Sequence, residues 1–187
     1  NQPDVNIITV ENPVEYTVTG INQVQVNEQV GLTFAAALRS ILRQDPDIVL
    51  IGEIRDKETA RIATEAALTG HLVLSTIHTN SAPATVTRLI DMGVEPFLVS
   101  SALACIISQR LIRRVNDKTK RAFTPDAELI SRLGMSAEEA KGVTFYEAVP
   151  GPTPGDTGYS GRLAIHEVML IDEELSRMIV ERKDANE

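Results

Sequence analysis

Three short, mostly apolar runs stand out in the first half of the chain, at residues 7–10, 48–51 and 72–76. Runs without polar alternation predict strands buried on both faces, which are typical of parallel sheets covered by helices. Residues 14–26 differ, because apolar and polar positions alternate there on both sides of a turn at Gly20. This alternation predicts an exposed antiparallel hairpin at the edge of the sheet.

Between the strands, apolar residues recur every three or four positions, which is the spacing of one face of a helix. In the first such segment Thr33 is a predicted N-cap, and the helix that starts at Phe34 ends before Pro46. Further helices are predicted at residues 57–69, 83–92, 97–107, 125–133 and 172–181, and a last strand at 163–170. Strands that alternate with helices through short links predict right-handed βαβ units. The predicted fold class is therefore α/β, with an open, mostly parallel sheet flanked by helices.

The chain changes character after Arg114. The following residues are polar, and a stretch rich in proline and glycine occupies residues 150–155. We therefore predict a core at residues 1–114, a small insertion at 115–162, and a strand and helix at 163–187 that return to the core. Since the first predicted strand begins so close to position 1, we also expect the sequence to be part of a longer protein.

Composition narrows the classes of function. The chain has 187 residues, of which 18 are basic and 26 acidic, so its net charge is −8, and aromatic residues make up 4%. Both features disfavour a nucleic-acid partner, because an acidic surface repels phosphates and few rings are available for base stacking.

Cysteine content and hydropathy indicate the compartment. The single cysteine, Cys105, lies in an apolar run at residues 102–107 and is predicted to be a small core residue. One cysteine cannot form an intramolecular disulfide, which suits a reducing compartment. No apolar run is long enough for a membrane-spanning helix, and the start lacks the pattern of a signal peptide. These features predict a soluble, cytoplasmic domain.

Polar residues follow each of the three predicted buried strands. They are Glu11 and Asn12 after the first, Glu53, Arg55 and Asp56 after the second, and His78, Thr79 and Asn80 after the third. The carboxyl ends of parallel strands share one edge of a sheet, where α/β proteins bind ligands. Two carboxylates, an imidazole and a guanidinium in one cleft suit phosphoryl transfer, in which carboxylates orient water and hold Mg²⁺ while cations contact the γ-phosphate.

Each candidate also has a simpler interpretation. Glu11 can be a surface carboxylate on an edge strand, and His78 can be a hydrogen-bonded structural histidine. Glu53 is the strongest candidate, because a charge at the end of a core strand needs a partner or a ligand. The cationic stretch at residues 110–121 is either a solvated surface or a contact for a nucleotide phosphate or an acidic protein.

Five segments of the chain resemble the secretion ATPase superfamily, which drives type II secretion and type IV pilus assembly. Residues 8–16 (ITVENPVEY) are similar to its aspartate box, 48–56 (IVLIGEIRD) to its Walker B segment, and 68–80 (LTGHLVLSTIHTN) to its histidine box. Residues 38–47 resemble the helix before Walker B, and 157–162 the turn after the zinc-binding loop. The resemblance covers nearly the whole chain.

The resemblance implies a RecA-like core and a role for each matching residue. Glu11 and Glu53 would be the acidic residues of ATP hydrolysis, with Glu53 near Mg²⁺, and His78 would contact the γ-phosphate and link hydrolysis to domain motion. Further nucleotide contacts would come from Arg55, Asn12 and Thr79. The family forms hexameric rings that act on an inner-membrane platform protein from the cytoplasmic side. By position and charge, residues 110–121 are our candidate for that platform contact.

Three departures from the family pattern qualify this expectation. No Gly-Lys dipeptide occurs, so the phosphate-binding loop, which precedes the aspartate box in the family, is absent and the chain alone should bind ATP poorly. Asn12 stands where the family usually has aspartate, which weakens any role there in holding a magnesium-bound water. The zinc-binding cysteines of the family are replaced, so no thiolate zinc site is expected. The replacing residues are Asn116, Thr119, Gly151 and Pro154.

Three functions therefore stay under consideration. The leading one is the C-terminal part of a motor ATPase that powers type IV pilus assembly or type II secretion. The second is a non-hydrolysing assembly module that keeps the ring-forming surfaces without the nucleotide loop. The third, a RecA-like recombination or helicase core, is disfavoured by the acidic balance and the scarcity of aromatic residues.

Overall fold

The computed structural model describes residues 2, 4–153 and 155–184. They divide into two compact units. The first comprises the residues up to Ser108 together with those from Glu167 onward, and the second comprises Gln109–His166. None of the helices in the described part of the chain is long and apolar enough to cross a membrane.

A four-stranded parallel sheet forms the centre of the first unit. Its strands are β1 (Ile7–Glu11), β2 (Asn22–Gln25), β3 (Ile48–Ile51) and β4 (Leu72–Ser75), in the order β2-β1-β3-β4. The side chains of Val10, Val49 and Ile51 are fully buried beneath the helices. The predicted α/β class with a parallel sheet flanked by helices is confirmed.

Within the described residues, seven α-helices accompany the strands. They are α1 (Phe34–Ile41), α2 (Lys57–Leu68), α3 (Ala82–Asp91), α4 (Pro96–Ala102), α5 (Ala127–Arg132), α6 (Ala137–Lys141) and α7 (Glu173–Val180). Most begin at a polar residue whose side-chain oxygen accepts a hydrogen bond from a backbone N–H three residues later, which satisfies a donor of the first turn. Thr33 does this for α1, Asp56 for α2 and Ser81 for α3. The predicted N-cap at Thr33 is confirmed.

The second unit contains a small antiparallel pair, β6 (Arg121–Phe123) with β7 (Phe145–Glu147), and the short helices α5 and α6. Phe123 and Phe145 face each other across this pair with their rings edge to face, at a centroid distance of 6.3 Å. Two long strands, β5 (Cys105–Val115) and β8 (Tyr159–Leu170), form a further two-stranded sheet.

The predicted antiparallel hairpin at residues 14–26 is wrong. Residues 22–25 form β2, which pairs parallel to β1 with Thr9 opposite Gln23. The preceding loop is wound around the Gln23 side chain, which accepts a hydrogen bond from the N–H of Val18 and donates one to the carbonyl of Tyr16. These side-chain bonds take the place of a first hairpin strand.

The predicted helix at residues 97–107 is also too long. It ends at Ala102, because Leu103 has extended backbone angles, and the β-branched Ile106 and Ile107 belong to β5. Cys105 begins that strand with an exposed side chain, so the prediction that it is a core residue is wrong.

Candidate active site

A cavity of about 590 Å³ lies at the carboxyl ends of β1, β3 and β4. Five of the six predicted site residues line it, namely Glu11, Asn12, Glu53, Arg55 and His78. The parallel register explains the convergence, because Val10 lies opposite Ile51, which in turn lies opposite Ser75, so the three strands end side by side. Of the predicted clusters, Asp56 does not line this cavity, because it is the N-cap of α2, and Thr79 and Asn80 line a different cavity.

Glu11 is held by two neighbours that the sequence analysis did not single out. Its Oε1 accepts a hydrogen bond of 2.5 Å from the Thr9 hydroxyl and one of 3.0 Å from Nε2 of Gln23. The hydrogen bonds that the described residues make to this carboxylate all go to Oε1. Glu11 is therefore fixed through Oε1.

Gly52 allows β3 to approach β1 at the point where Glu53 leaves the strand. Its N–H donates a hydrogen bond of 2.8 Å to the carbonyl of Val10. A Cβ at this position would lie 3.2 Å from that carbonyl oxygen and 3.4 Å from Cα of Glu11. Any side chain would thus press on the backbone that carries Glu11, so glycine keeps the two carboxylates in register.

Glu53 lies between two groups that can carry positive charge. Its Oε2 forms an ion pair with Nε of Arg55 and lies 3.7 Å from Nε2 of His78. The Glu53 side chain is only 12% exposed, whereas Arg55 is 66% and His78 87% exposed. The carboxylate is thus shielded from water, which strengthens its field. The guanidinium and the imidazole stay accessible to a ligand in the cavity.

The loops after β3 and β4 are tied to each other by hydrogen bonds. The N–H of Ile54 donates to the carbonyl of Thr76 over 2.9 Å, and the Thr76 hydroxyl donates to the carbonyl of Gly52 over 2.7 Å. The backbone that carries Glu53 and the backbone that leads to His78 therefore form one connected edge of the cavity.

Thr79 is the predicted site residue that the structure does not bring to this cavity. Its hydroxyl lies 2.8 Å from the hydroxyl of Thr85 and donates to the carbonyl of Ser81 over 3.2 Å. Thr79 lines a second cavity, of about 570 Å³, together with Arg88 and Asp91. A contact between Thr79 and a nucleotide stays a prediction.

The sequence analysis missed Thr9, Gln23 and Thr76. Thr9 had a signal, because residues two apart on a strand point to the same side, so Thr9 accompanies Glu11. No local sequence pattern pointed to Gln23, since its position beside Thr9 follows from the parallel pairing of β2 with β1.

In the second unit, two of the four positions matched above to zinc-binding cysteines, Asn116 and Thr119, form a hydrogen-bonded turn. The side-chain oxygen of Asn116 accepts from the N–H of Lys118, and its carbonyl accepts from the N–H of Thr119. An amide, a hydroxyl and Gly151 offer no thiolate or imidazole, so this donor set does not fit Zn²⁺. Pro154 lies outside the described residues.

Several cationic side chains of residues 110–121 form ion pairs or a ring contact within the second unit. Lys120 and Arg114 both pair with Asp117, at 2.7 and 2.5 Å. The hydrogen bond and charge of Lys120, with the charge of Arg114 added, hold the pKa of Asp117 below its usual value. Arg121 pairs with Glu147 at 2.8 Å, and Arg113 lies over the ring of Tyr159.

The whole chain, residues 1–187, matches the model of one protein family, described as type II/IV secretion system protein. The chain belongs to this family. It is 56% identical over 185 residues to the type IV pilus assembly ATPase PilB of Thermus thermophilus, covering 99% of this chain and 21% of that relative. It is 49% identical over 179 residues to the type II secretion system ATPase E of Vibrio cholerae, covering 96% of this chain and 35% of that relative. The chain thus spans only a fifth to a third of the length of these curated relatives.

Solved structures show the same fold. The pilus retraction motor PilT with bound ADP superposes with a TM-score of 0.66 at 30% identity, over 95% of this chain and 42% of that one. The ATPase DotB of Legionella pneumophila gives a TM-score of 0.60 at 25% identity, over 97% of this chain and 40% of that one.

Proposed function

We propose that the protein containing this chain is a motor ATPase that hydrolyses ATP with Mg²⁺ to power type IV pilus assembly or type II protein secretion. The observation that carries the proposal is the convergence of Glu11, Glu53 and His78 on one cavity. The names of the relatives, pilus assembly ATPase and secretion ATPase, support the same activity.

The side chains in the cavity fit a magnesium-bound triphosphate. Mg²⁺ in nucleotide sites is usually held by one or two carboxylates together with phosphate oxygens and water. Glu11 and Glu53 supply two carboxylates, and among the described residues no group of three His, Cys, Asp or Glu side chains could hold a metal ion by itself. When bound, Mg²⁺ neutralises charge that develops on the phosphates.

The residues of this chain then have distinct tasks. Glu11, fixed through Oε1, orients the attacking water and accepts its proton. Glu53 supplies negative charge next to the metal and keeps Arg55 and His78 at the rim of the cavity. These two exposed groups contact the γ-phosphate, and Asn12 offers a neutral oxygen or N–H to the nucleotide.

We extend the proposal to the assembly. Residues 1–114 would be the RecA-like part of the core, 115–162 an insertion and 163–187 the return of the chain. The protein would form a hexameric ring on the cytoplasmic side of the inner membrane and push on a platform protein. Residues 110–121 remain our candidate for that contact, through the positive charge that their internal ion pairs leave available.

We also consider a second function. The 187 residues contain no Gly-Lys dipeptide, so the loop that holds phosphates in ATPases of this type is not among them. A non-hydrolysing assembly module with this fold would have the same feature. The two functions differ in whether the full-length protein turns over ATP.

The test is Mg²⁺-dependent ATP turnover by the purified full-length protein. Glu11→Gln and Glu53→Gln should each lower kcat by roughly 10²-fold while ATP is still bound, as expected for loss of an aligned carboxylate. Glu95→Gln is the matched control, because Glu95 is exposed before α4 and its side chain makes no capping bond. Lack of turnover by the unmodified protein would support the assembly module, and normal turnover by Glu53→Gln would make Glu53 structural.

A further inference from the structure

The position of His78 depends on the backbone of its loop. The imidazole is 87% exposed, so packing against neighbours contributes little to its orientation. One end of the loop is fixed at Thr76 by the bonds to Ile54 and Gly52. What fixes the other end, where α3 begins, therefore decides where the imidazole points.

The first turn of α3 has donors that need acceptors, as at every helix N-terminus. The N–H of Ala84 donates to the Ser81 hydroxyl, and Pro83 has no N–H. The N–H of Ala82 donates over 2.8 Å to Oε2 of Glu167, which lies 85 residues further along the chain. Glu167 thus provides the acceptor for one of the donors at the start of α3, the N–H of Ala82.

This bond is stronger than an ordinary hydrogen bond. A carboxylate that accepts from the N-terminus of a helix gains from its charge and from the helix dipole. Ala82 is fully buried whereas Glu167 is exposed, so removal of the Glu167 side chain would deprive this N–H of its charged acceptor and leave only water to replace it.

The hydrogen bonds at the start of α3 continue into the loop that follows β4. The hydroxyls of Thr79 and Thr85 lie 2.8 Å apart, and both contact the carbonyl of Ser81. Residues 79–85 are therefore one hydrogen-bonded segment, and Glu167 attaches this segment to β8.

We propose that Glu167 is a positioning residue for His78. By holding the start of α3, it fixes the loop after β4 so that the imidazole stays 3.7 Å from Glu53. Glu167 does not line the cavity of the candidate active site, so it acts through the loop and touches no nucleotide. This inference rests on the proposed function.

The experiment compares Glu167→Ala with Glu167→Gln in the full-length protein. Glu167→Ala should lower kcat about ten-fold and leave KM for ATP nearly unchanged, because a misplaced catalytic group loses alignment more than binding. Glu167→Gln, whose amide oxygen can still accept the bond from Ala82, should retain most of the activity. The control is Glu174→Ala, which removes an exposed carboxylate from the first turn of α7. Full activity of Glu167→Ala would overturn the inference.

A double mutant tests whether Glu167 acts through His78. His78→Ala combined with Glu167→Ala should have the same kcat as His78→Ala alone, whereas multiplied losses would overturn the inference. Amide hydrogen exchange in residues 79–85 should rise in Glu167→Ala and stay unchanged in His78→Ala. If His78→Ala turns over ATP normally, the role of His78 in the proposed function fails as well. If only Glu167→Ala is normal in both measurements, the inference alone fails.

Discussion

The two units of the molecule use charge in opposite ways. In the first, Glu53 is shielded, while its partners Arg55 and His78 extend into an open cavity. In the second, Asp117 is shared by Arg114 and Lys120 on the surface. The first arrangement leaves charged groups available for a ligand, whereas the second satisfies charges with one another. A cluster of charged residues therefore indicates a small-molecule site only where a cavity and shielding accompany it, whereas an exposed cluster such as residues 110–121 is suited to a protein contact.

The most severe test of this contrast is Gly52→Ala. The new Cβ would press on the carbonyl of Val10 and on Cα of Glu11, so the two carboxylates would shift relative to each other. The backbone would have to give by a few tenths of an ångström, so we expect ATP turnover by the full-length protein to fall somewhat more than ten-fold, less than the roughly 10²-fold that a displacement of about 1 Å can cause. Gly142→Ala is the control in the second unit, because its Cβ would make only an ordinary contact with Glu139, at 3.7 Å. Equal effects of the two substitutions would contradict the contrast.

A milder test removes the side chain that holds Glu11. Gln23→Ala deletes the bond to Oε1 and the two bonds that fix the loop before β2. We expect kcat to fall about ten-fold, because Glu11 keeps only the bond from Thr9 and loses alignment. Gln29→Ala, at an exposed glutamine outside the cavity, should leave kcat unchanged. A wild-type kcat for Gln23→Ala would show that Thr9 alone orients Glu11.

The N-caps of helices in the two units are expected to differ in how strongly they stabilise their helices. Asp56 accepts bonds from both the N–H and the hydroxyl of Thr59, which is fully buried, whereas Asp126 accepts one bond, from Leu129 in an exposed turn. Asp56→Ala should lower the free energy of local opening of α2 by about 1 kcal/mol, and Asp126→Ala should lower that of α5 by about half as much. Hydrogen exchange of the amides in each helix measures both values. The reverse order would show that burial does not set the strength of these caps.

The smallest effect is expected at Asp117. Its pKa is lower in the folded protein, so its ion pairs stabilise the second unit above the usual pKa of aspartate and lose this effect as the pH falls through the lowered value. Asp117→Asn should thus slightly lower the melting temperature at neutral pH, and the difference should vanish in strong acid. Because the group is exposed, salt should shrink the difference as well. ATP turnover should not change, and a clear loss would give the second unit a role in the site.

The sequence by itself determined where β1, β3 and β4 lie along the chain and which residues stand at their ends. The prediction that the run at residues 72–76 is buried on both faces is wrong, because β4 lies at the edge of the sheet and Leu72 and Leu74 are 54% and 46% exposed. Apolar runs and helix caps are local patterns, so Glu11, Glu53 and His78 could be singled out from them. Local patterns could not determine how residues 14–26 pair, because an edge strand alternates in the same way whether its neighbour is parallel or antiparallel. They also could not show that Thr79, the residue after His78, lies outside the cavity that His78 lines.

Only the tertiary structure decided which side chains support the catalytic candidates. Gln23 reaches Glu11 because β2 returns parallel to β1, and Glu167 reaches Ala82 because β8 ends beside α3. Gly52 matters because two strands approach closely there. Each of these contacts joins residues distant in sequence, and such a contact depends on the paths of whole elements, which no local run of residues specifies.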